Sequence, residues 1–252
     1  MYRRQVLKAF AGLALCPLCA SMSSAEEAHH WSYEGATGPD KWGSLDAANA
    51  VCSAGTQQSP LDLTGPISAR QPTLELRWSK RPETIVNNGH TIQLNFTSGD
   101  TLKLGDRSYR MTQFHFHHPS EHLVSGKRFA MEAHFVHAAE GGGLAVVGVF
   151  MAPGRANAVF NKIVSTMPEE GPPVPADSAI HPNGLLPARH AYYHYEGSLT
   201  TPPCSETVDW LVLADRIEVA EADIARFAKL YPMNARPVQN RNRRFILRAA
   251  QR

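Results

Sequence analysis

Residues 111–117 read MTQFHFH, and this alternation restricts how the chain can fold. Successive side chains of a β-strand point to opposite faces, so apolar residues at every second position call for a strand with one face in a core. Phe114 and Phe116 take that face, and His118 falls on the same side. Gln113, His115 and His117 take the other, which must open on a cavity. His118 is therefore excluded as a partner of the two histidines unless the strand bulges.

The same period recurs along the chain. Residues 73–78 and 91–96 alternate cleanly, and residues 128–137 (RFAMEAHFVH) less so. Residues 144–151 (LAVVGVFM) are apolar throughout, as in a strand covered on both faces. Residues 191–196 and 208–214 are further strand candidates. Asn87-Asn88-Gly89 and Ser98-Gly99-Asp100 supply residues that tolerate positive φ, and both predict hairpins. Helices are predicted over 156–167, ended by Pro168, and over 221–231, ended by Pro232. Neither an internal repeat nor a linker divides the chain. The fold class that follows is mainly β (α+β): one domain on a large twisted, mostly antiparallel β-sheet with a few short surface helices.

The first 25 residues are different. A basic start, a modest apolar run broken by Pro17 and small residues at Ser23 and Ala25 predict an export leader over 1–25, cleaved after Ala25, ahead of a single domain over 26–252. Arg3-Arg4-Gln5-Val6-Leu7-Lys8 favours the twin-arginine route over general secretion. The apolar run is too short to span a bilayer, and the expected location is outside the cytoplasm, in a Gram-negative periplasm. Cys16 and Cys19 lie within the leader, which leaves Cys52 and Cys204 as an even pair in an oxidising compartment. A disulfide is expected there, closing a loop of about 150 residues, for which chain entropy gives at most about 5 kcal/mol.

Charge excludes one class of partner. The whole chain carries +2, and without Arg3, Arg4 and Lys8 it has 22 basic against 23 acidic residues. That balance gives no general attraction to nucleic acid. The basic run QNRNRRFILR reads as a solvated or salt-bridged surface strand.

Parity extends to EAHFVH. Glu132, His134 and Val136 share one face; Ala133, Phe135 and His137 share the other. His134 is the favoured third partner for His115 and His117, because His137 would bring Phe135 into the cavity with it. Three neutral imidazoles with an open fourth position describe a catalytic zinc site, with Gln113 and Glu132 on the correct side to orient the rings. A competing pattern remains at this point: HxH followed three residues later by glutamate fits part of a cupin motif, with Glu121 as ligand and iron or manganese as metal. The glycine expected seven positions after that glutamate is missing, since Arg128 stands there.

QFHFHHPSEH, MEAHFVH, GSLTTPPCSETVDW, NNGH, QQSP and NARPVQ together resemble the α-class carbonic anhydrases, of the bacterial exported type, over most of the chain after the leader. The resemblance implies reversible hydration of carbon dioxide to bicarbonate and a proton, with zinc on His115, His117 and His134. It implies that Glu121 is not a ligand but accepts a hydrogen bond from Thr200, which in turn orients zinc-bound hydroxide. Thr201 would border the substrate and bicarbonate. Val136, Val146, Leu199 and Trp210 would line a carbon dioxide pocket, His90 would shuttle protons, and Tyr33 would order cavity water. Cys52 and Cys204 match the disulfide of exported members, and sulfonamides or anions are expected inhibitors. A homodimer is compatible with the family. His118 departs from the tryptophan of many relatives, which alters packing rather than zinc binding. No ligand is missing, which argues against the non-catalytic relatives.

Overall fold

The alternating segments do become strands. A computed structural model describes residues 30–249; the leader expected over 1–25 lies outside them. The strands are β1 (Ile67–Ala69), β2 (Leu74–Leu76), β3 (Thr84–Asn87), β4 (Ile92–Asn95), β5 (Thr101–Leu104), β6 (Arg107–His117), β7 (Leu123–Val124) and β8 (Lys127–Arg128). They continue with β9 (Met131–Ala138), β10 (Leu144–Pro153), β11 (Val174–Pro175), β12 (Tyr192–Gly197), β13 (Val208–Leu213), β14 (Ile217–Val219) and β15 (Leu247–Ala249). The helices are short: α1 (Trp42–Leu45), α2 (Val51–Ala54), α3 (Ala158–Ser165) and α4 (Glu221–Leu230). Among the described residues no helix is long and apolar enough to cross a membrane.

Thirteen strands form one mixed sheet in the order β1-β15-β12-β13-β10-β9-β6-β4-β3-β11, with β14 beside β10, β5 beside β6, and β2 beside β5. Most pairs are antiparallel; β10 runs parallel to both β13 and β14, and β1 to β15. The longest strands, β6, β9 and β10, are neighbours near its middle. β10 is buried over nearly its whole length, as its unbroken apolar sequence requires.

The sheet separates two apolar clusters. On one side Phe114, Phe116, Ala133, Phe135, Val147 and Val149 join the main core with α3 and α4. On the other, Val136, Val146, Phe150, Trp210 and Val212 form a smaller cluster. Full burial of a phenylalanine or valine is worth about 1.5–3 kcal/mol, so each face of β9 and β10 is anchored independently. The disulfide Cys52–Cys204 packs with Trp42 in a third cluster and joins positions 152 residues apart.

Two turn expectations meet different fates. The turn at Asn87-Asn88-Gly89 joins β3 to β4 as a hairpin, with Gly89 at φ +82°. The turn at Ser98-Gly99-Asp100 does not make one: β4 and β5 do not pair, and each lies along a different stretch of β6. Gly99 is needed for another reason. A Cβ there would come within 2.1 Å of the Met111 carbonyl oxygen, so the loop can press against β6 only without a side chain. Next to that contact β6 bulges: Met111 pairs with His137 and Gln113 with Val136, leaving Thr112 as the extra residue. The basic C-terminal run also departs from expectation. Arg241 and Arg244 bond backbone carbonyls, Arg244 those of Gln58, Glu196, Asn240 and Arg241, and the strand begins only at Leu247.

Candidate metal centre

Strand register stacks the site in rows. His115 of β6 stands opposite His134 of β9, and His134 opposite Gly148 of β10. One row along lie Gln113, Val136, Val146 and Trp210; the other way lie His117, Glu132 and Phe150. Nitrogen atoms of His115, His117 and His134 come within 4.8 Å of one another. His137 is on the far face, its Nδ1 bonded to the Phe135 carbonyl and its ring against Trp78. His118 lies off to one side, its Nδ1 3.0 Å from the Pro232 carbonyl oxygen.

Hydrogen bonds fix which nitrogen each ring offers. His115 Nδ1 is 2.8 Å from Gln113 Oε1, and His117 Nδ1 is 2.7 Å from the Asn234 carbonyl oxygen. Both partners accept, so the proton sits on Nδ1 and the lone pair on Nε2. His134 is turned the other way: its Nε2 donates to Glu132 Oε1 at 3.0 Å, which leaves Nδ1 for the shared centre. Burial, reinforced by neighbouring imidazoles, holds His115 well below the usual histidine range. Burial also lowers His117, against the pull of Glu121. Neutral rings with free lone pairs are what a metal needs. The buried Nε2 of His117 has no hydrogen-bond partner among the described residues, an orphaned acceptor that a cation would satisfy. The donor set and its fixed tautomers fit zinc.

Glu132 does more than orient one ring. Oε1 accepts from His122 Nδ1 (2.8 Å) as well as from His134, and Oε2 accepts from the backbone N–H groups of Glu121 and His122. Burial works against this carboxylate, yet His122 and His134 hold it well below the ordinary carboxylate range. Although His122, Glu132 and His134 also converge, these bonds engage Oε1 twice, so the trio is a hydrogen-bonded brace. Sequence parity located Glu132 but not the His122 link, and it passed over Gly148. A Cβ at Gly148 would stand 2.9 Å from Glu132 Oε1. The glycine inside an otherwise bulky apolar strand was the available signal.

Glu121 sits at the edge of the histidine cluster. Its Oε2 is 3.5 Å from His117 Nε2 and 3.8 Å from His134 Nδ1, and its Oε1 accepts from the Arg236 backbone N–H. The hydrogen bond expected from Thr200 is not made: Oε2 has no hydrogen-bond partner among the described residues, and the carboxylate leans toward the imidazoles. Thr200 is buried nearby in sequence to a well-tied loop, in which Leu199 N–H bonds the Ser205 carbonyl and Cys204 N–H bonds that of Thr201. Arg236, which sequence reading left without a role, is buried and donates to Gln58 Oε1, Ser59 O and Cys52 O. Burial lowers its pKa to about 10, so it stays charged at neutral pH.

The remaining predicted residues fall into two groups. Val136, Val146 and Trp210 lie side by side in the smaller apolar cluster with Leu199 packed against them, and the Trp210 ring is 4.8 Å from that of His134. His90 lies in the turn of the β3–β4 hairpin and is only half-buried; its ring stacks on Trp31 at 3.6 Å and on His30 at 4.7 Å. Tyr33 meets it edge-on at 6.5 Å. Burial and the neighbouring His30 lower His90 to about 4, not the value near 6.5 expected of a free shuttle.

Comparison with known proteins bears on this arrangement. The family model described as eukaryotic-type carbonic anhydrase matches residues 37–250. A carbonic anhydrase of Nostoc sp. is 39% identical over 260 residues, covering 99% of this chain and 98% of the relative. A hyperthermostable carbonic anhydrase from an active hydrothermal vent chimney superposes with a TM-score of 0.85 at 40% identity, over 88% of this chain and all of the other. The α-carbonic anhydrase of Thermovibrio ammonificans, solved with the inhibitor sulfanilamide, gives 0.84 at 38% identity, over 86% of this chain and 98% of the other.

Proposed function

The chain belongs to the α-type carbonic anhydrase family, and we propose that it uses a zinc ion on His115, His117 and His134 to hydrate carbon dioxide reversibly to bicarbonate and a proton. It is an enzyme of that family. Zinc in this position supplies the Lewis acidity that makes water a nucleophile near neutral pH.

The protein's own groups do the rest. Gln113, the Asn234 carbonyl and Glu132 hold the three rings with their lone pairs inward. Glu121 fixes the hydroxyl of Thr200, which aims the attacking oxygen; this is a contribution of orientation. It requires Glu121 Oε2 to turn from the imidazoles to Thr200. Carbon dioxide has neither charge nor hydrogen to donate, so Val136, Val146, Leu199 and Trp210 suit it as an apolar wall. Thr201 borders the position where bicarbonate forms. His90 passes the released proton to buffer, and Tyr33 orders the water it crosses.

The same reading extends to the chain's location. A disulfide accords with a compartment outside the cytoplasm, and residues 1–25 serve as a twin-arginine leader to the periplasm for a catalytic domain over 26–252. Because a relative was solved with sulfanilamide, sulfonamides are expected to inhibit this chain at the same centre.

The observation that carries the reading is the convergence of three imidazoles whose tautomers are all set by their outer partners, with His117 Nε2 left free. Metal analysis and stopped-flow hydration test it together. Stoichiometric zinc is expected, with activity lost on chelation and restored by zinc. Zinc-loaded protein that fails to hydrate carbon dioxide even at high buffer would overturn it.

A further inference from the structure

His30 is assigned no part in the reading above, yet its ring lies face to face with that of His90, 4.7 Å away and only 11° from parallel. We propose that His30 and His90 form a coupled pair that holds a single proton, with His30 tuning the release of that proton from His90. The inference rests on the reading of His90 as the proton shuttle.

Three features of the geometry support it. First, His90 is clamped, since its other stacking partner is Trp31 at 3.6 Å and 7° from parallel. Its backbone is pinned too: its N–H donates to Asn88 Oδ1, and its carbonyl accepts from Asn234 Nδ2. Stacking on both sides and these backbone bonds set the imidazole beside His30. Second, a second proton on the pair would set two positive rings against each other in a half-buried place, where like charges disfavour one another strongly. Third, His30 is exposed while His90 is half-buried, so the pair runs from the protein toward solvent.

Other titratable groups around His90 do not take over this role. Tyr33 on the N-terminal segment meets it edge-on and titrates far above this range. Across the hairpin, the Glu170 carboxylate stands 3.0 Å from where a Gly89 Cβ would be, and Tyr231 bonds Asn87. Glu170 would favour a charged His90, whereas the lowering of His90 follows burial and His30.

The proton balance is simple. An N–H bond breaks on the His90 imidazolium, and a buffer base takes the proton, reached through water at the ring edges. Stacked rings do not aim their nitrogens at each other, so a proton on either ring disfavours one on the other through space, by repulsion of like charges. Groups coupled in this way lose protons in steps that belong to the pair.

The test combines NMR titration of both imidazoles in the zinc-loaded protein with weak-buffer hydration rates. In His30→Gln the His90 midpoint is expected to rise by roughly one pH unit and to become a single step. The acid limb of the weak-buffer rate profile should move up with it, with the strong-buffer profile as reference. A His90 curve identical in both proteins overturns the proposal, as does a shifted curve without a shifted limb when His90→Ala slows weak-buffer turnover. If His90→Ala leaves weak-buffer turnover unchanged, the shuttle reading itself falls, and with it the role of His30 in release. His30→Asn, with the same readouts, covers the case in which the glutamine variant folds poorly.

Discussion

Two histidines of β9 stand three residues apart and have opposite fates. His134 and His137 are both fully buried on the same strand. His134 points into a cluster of polar groups, donates to Glu132, and keeps Nδ1 for a shared centre. His137 points into hydrocarbon, donates to the carbonyl of Phe135, and stacks on Trp78, with Nε2 left unpaired. Residue type does not separate them. Each is defined by the residue facing it across the register: His115 opposite His134, and Met111 opposite His137. A buried imidazole can serve as a ligand where its neighbours fix the proton on one nitrogen and leave the lone pair of the other facing a shared centre.

The largest expected effect comes from breaking the comparison on the cavity side. His134→Ala should lose zinc by metal analysis and reduce hydration to the uncatalysed background, with circular dichroism preserved. Phe135→Ala, one residue away on the core side, should do the reverse. It should cost about 3–5 kcal/mol of stability in urea unfolding while zinc per folded chain stays stoichiometric. Gly148→Ala sharpens the contrast by pressing chiefly on the brace, with Val212 Cγ2 the next atom at 3.3 Å. Its Cβ would push on Glu132 Oε1, and a chelator competition should read a zinc affinity lower by about 10–100-fold.

His137 gives an effect that appears only in acid, and a sign that can be checked. Burial lowers its pKa to about 4 from the ordinary 6.5. The unfolded chain therefore takes up this proton first as pH falls. The stability tied to His137 is intact above about 6.5 and is lost between 6.5 and 4, at up to about 1.4 kcal/mol per pH unit. Replacing it by phenylalanine should flatten the wild-type dependence of urea midpoint on pH in that window. An unchanged slope in His137→Phe would assign the loss to other groups.

Much of this was legible because strand parity is a local rule. HFH and EAHFVH separated the face of the histidine cluster from the core face, and the all-apolar run 144–151 identified the strand covered on both sides. The illegible parts share one cause: they join residues far apart in sequence. The Asn234 carbonyl reaches His117 across 117 positions, and Arg236 reaches Cys52 across 184. No periodicity reports such pairs, although NARPVQ had marked the segment as worth attention. The turn at 98–100 misled for a related reason: its chemistry suits a hairpin, but β6 is long enough to hold β4 and β5 separately, end to end. The stacking of His90 on Trp31 and His30 was illegible for the same reason, since it depends on a segment some sixty residues earlier.

The bulge in β6 deserves a different vocabulary, that of reading frames. Before it, the odd-numbered Tyr109 and Met111 lie in the main core; after it, the even-numbered Phe114 and Phe116 do. Thr112 shifts the strand from one frame to the other. Were Thr112 kept in regular alternation instead of being bulged out, the two histidines would be turned into hydrocarbon and the two phenylalanines into the cavity, with every side chain unchanged in identity. Deleting Thr112 should therefore leave His115 and His117 on the cavity face, whereas one residue inserted between Gln113 and Phe114 should turn them away, because at this point the chain encodes its chemistry in length.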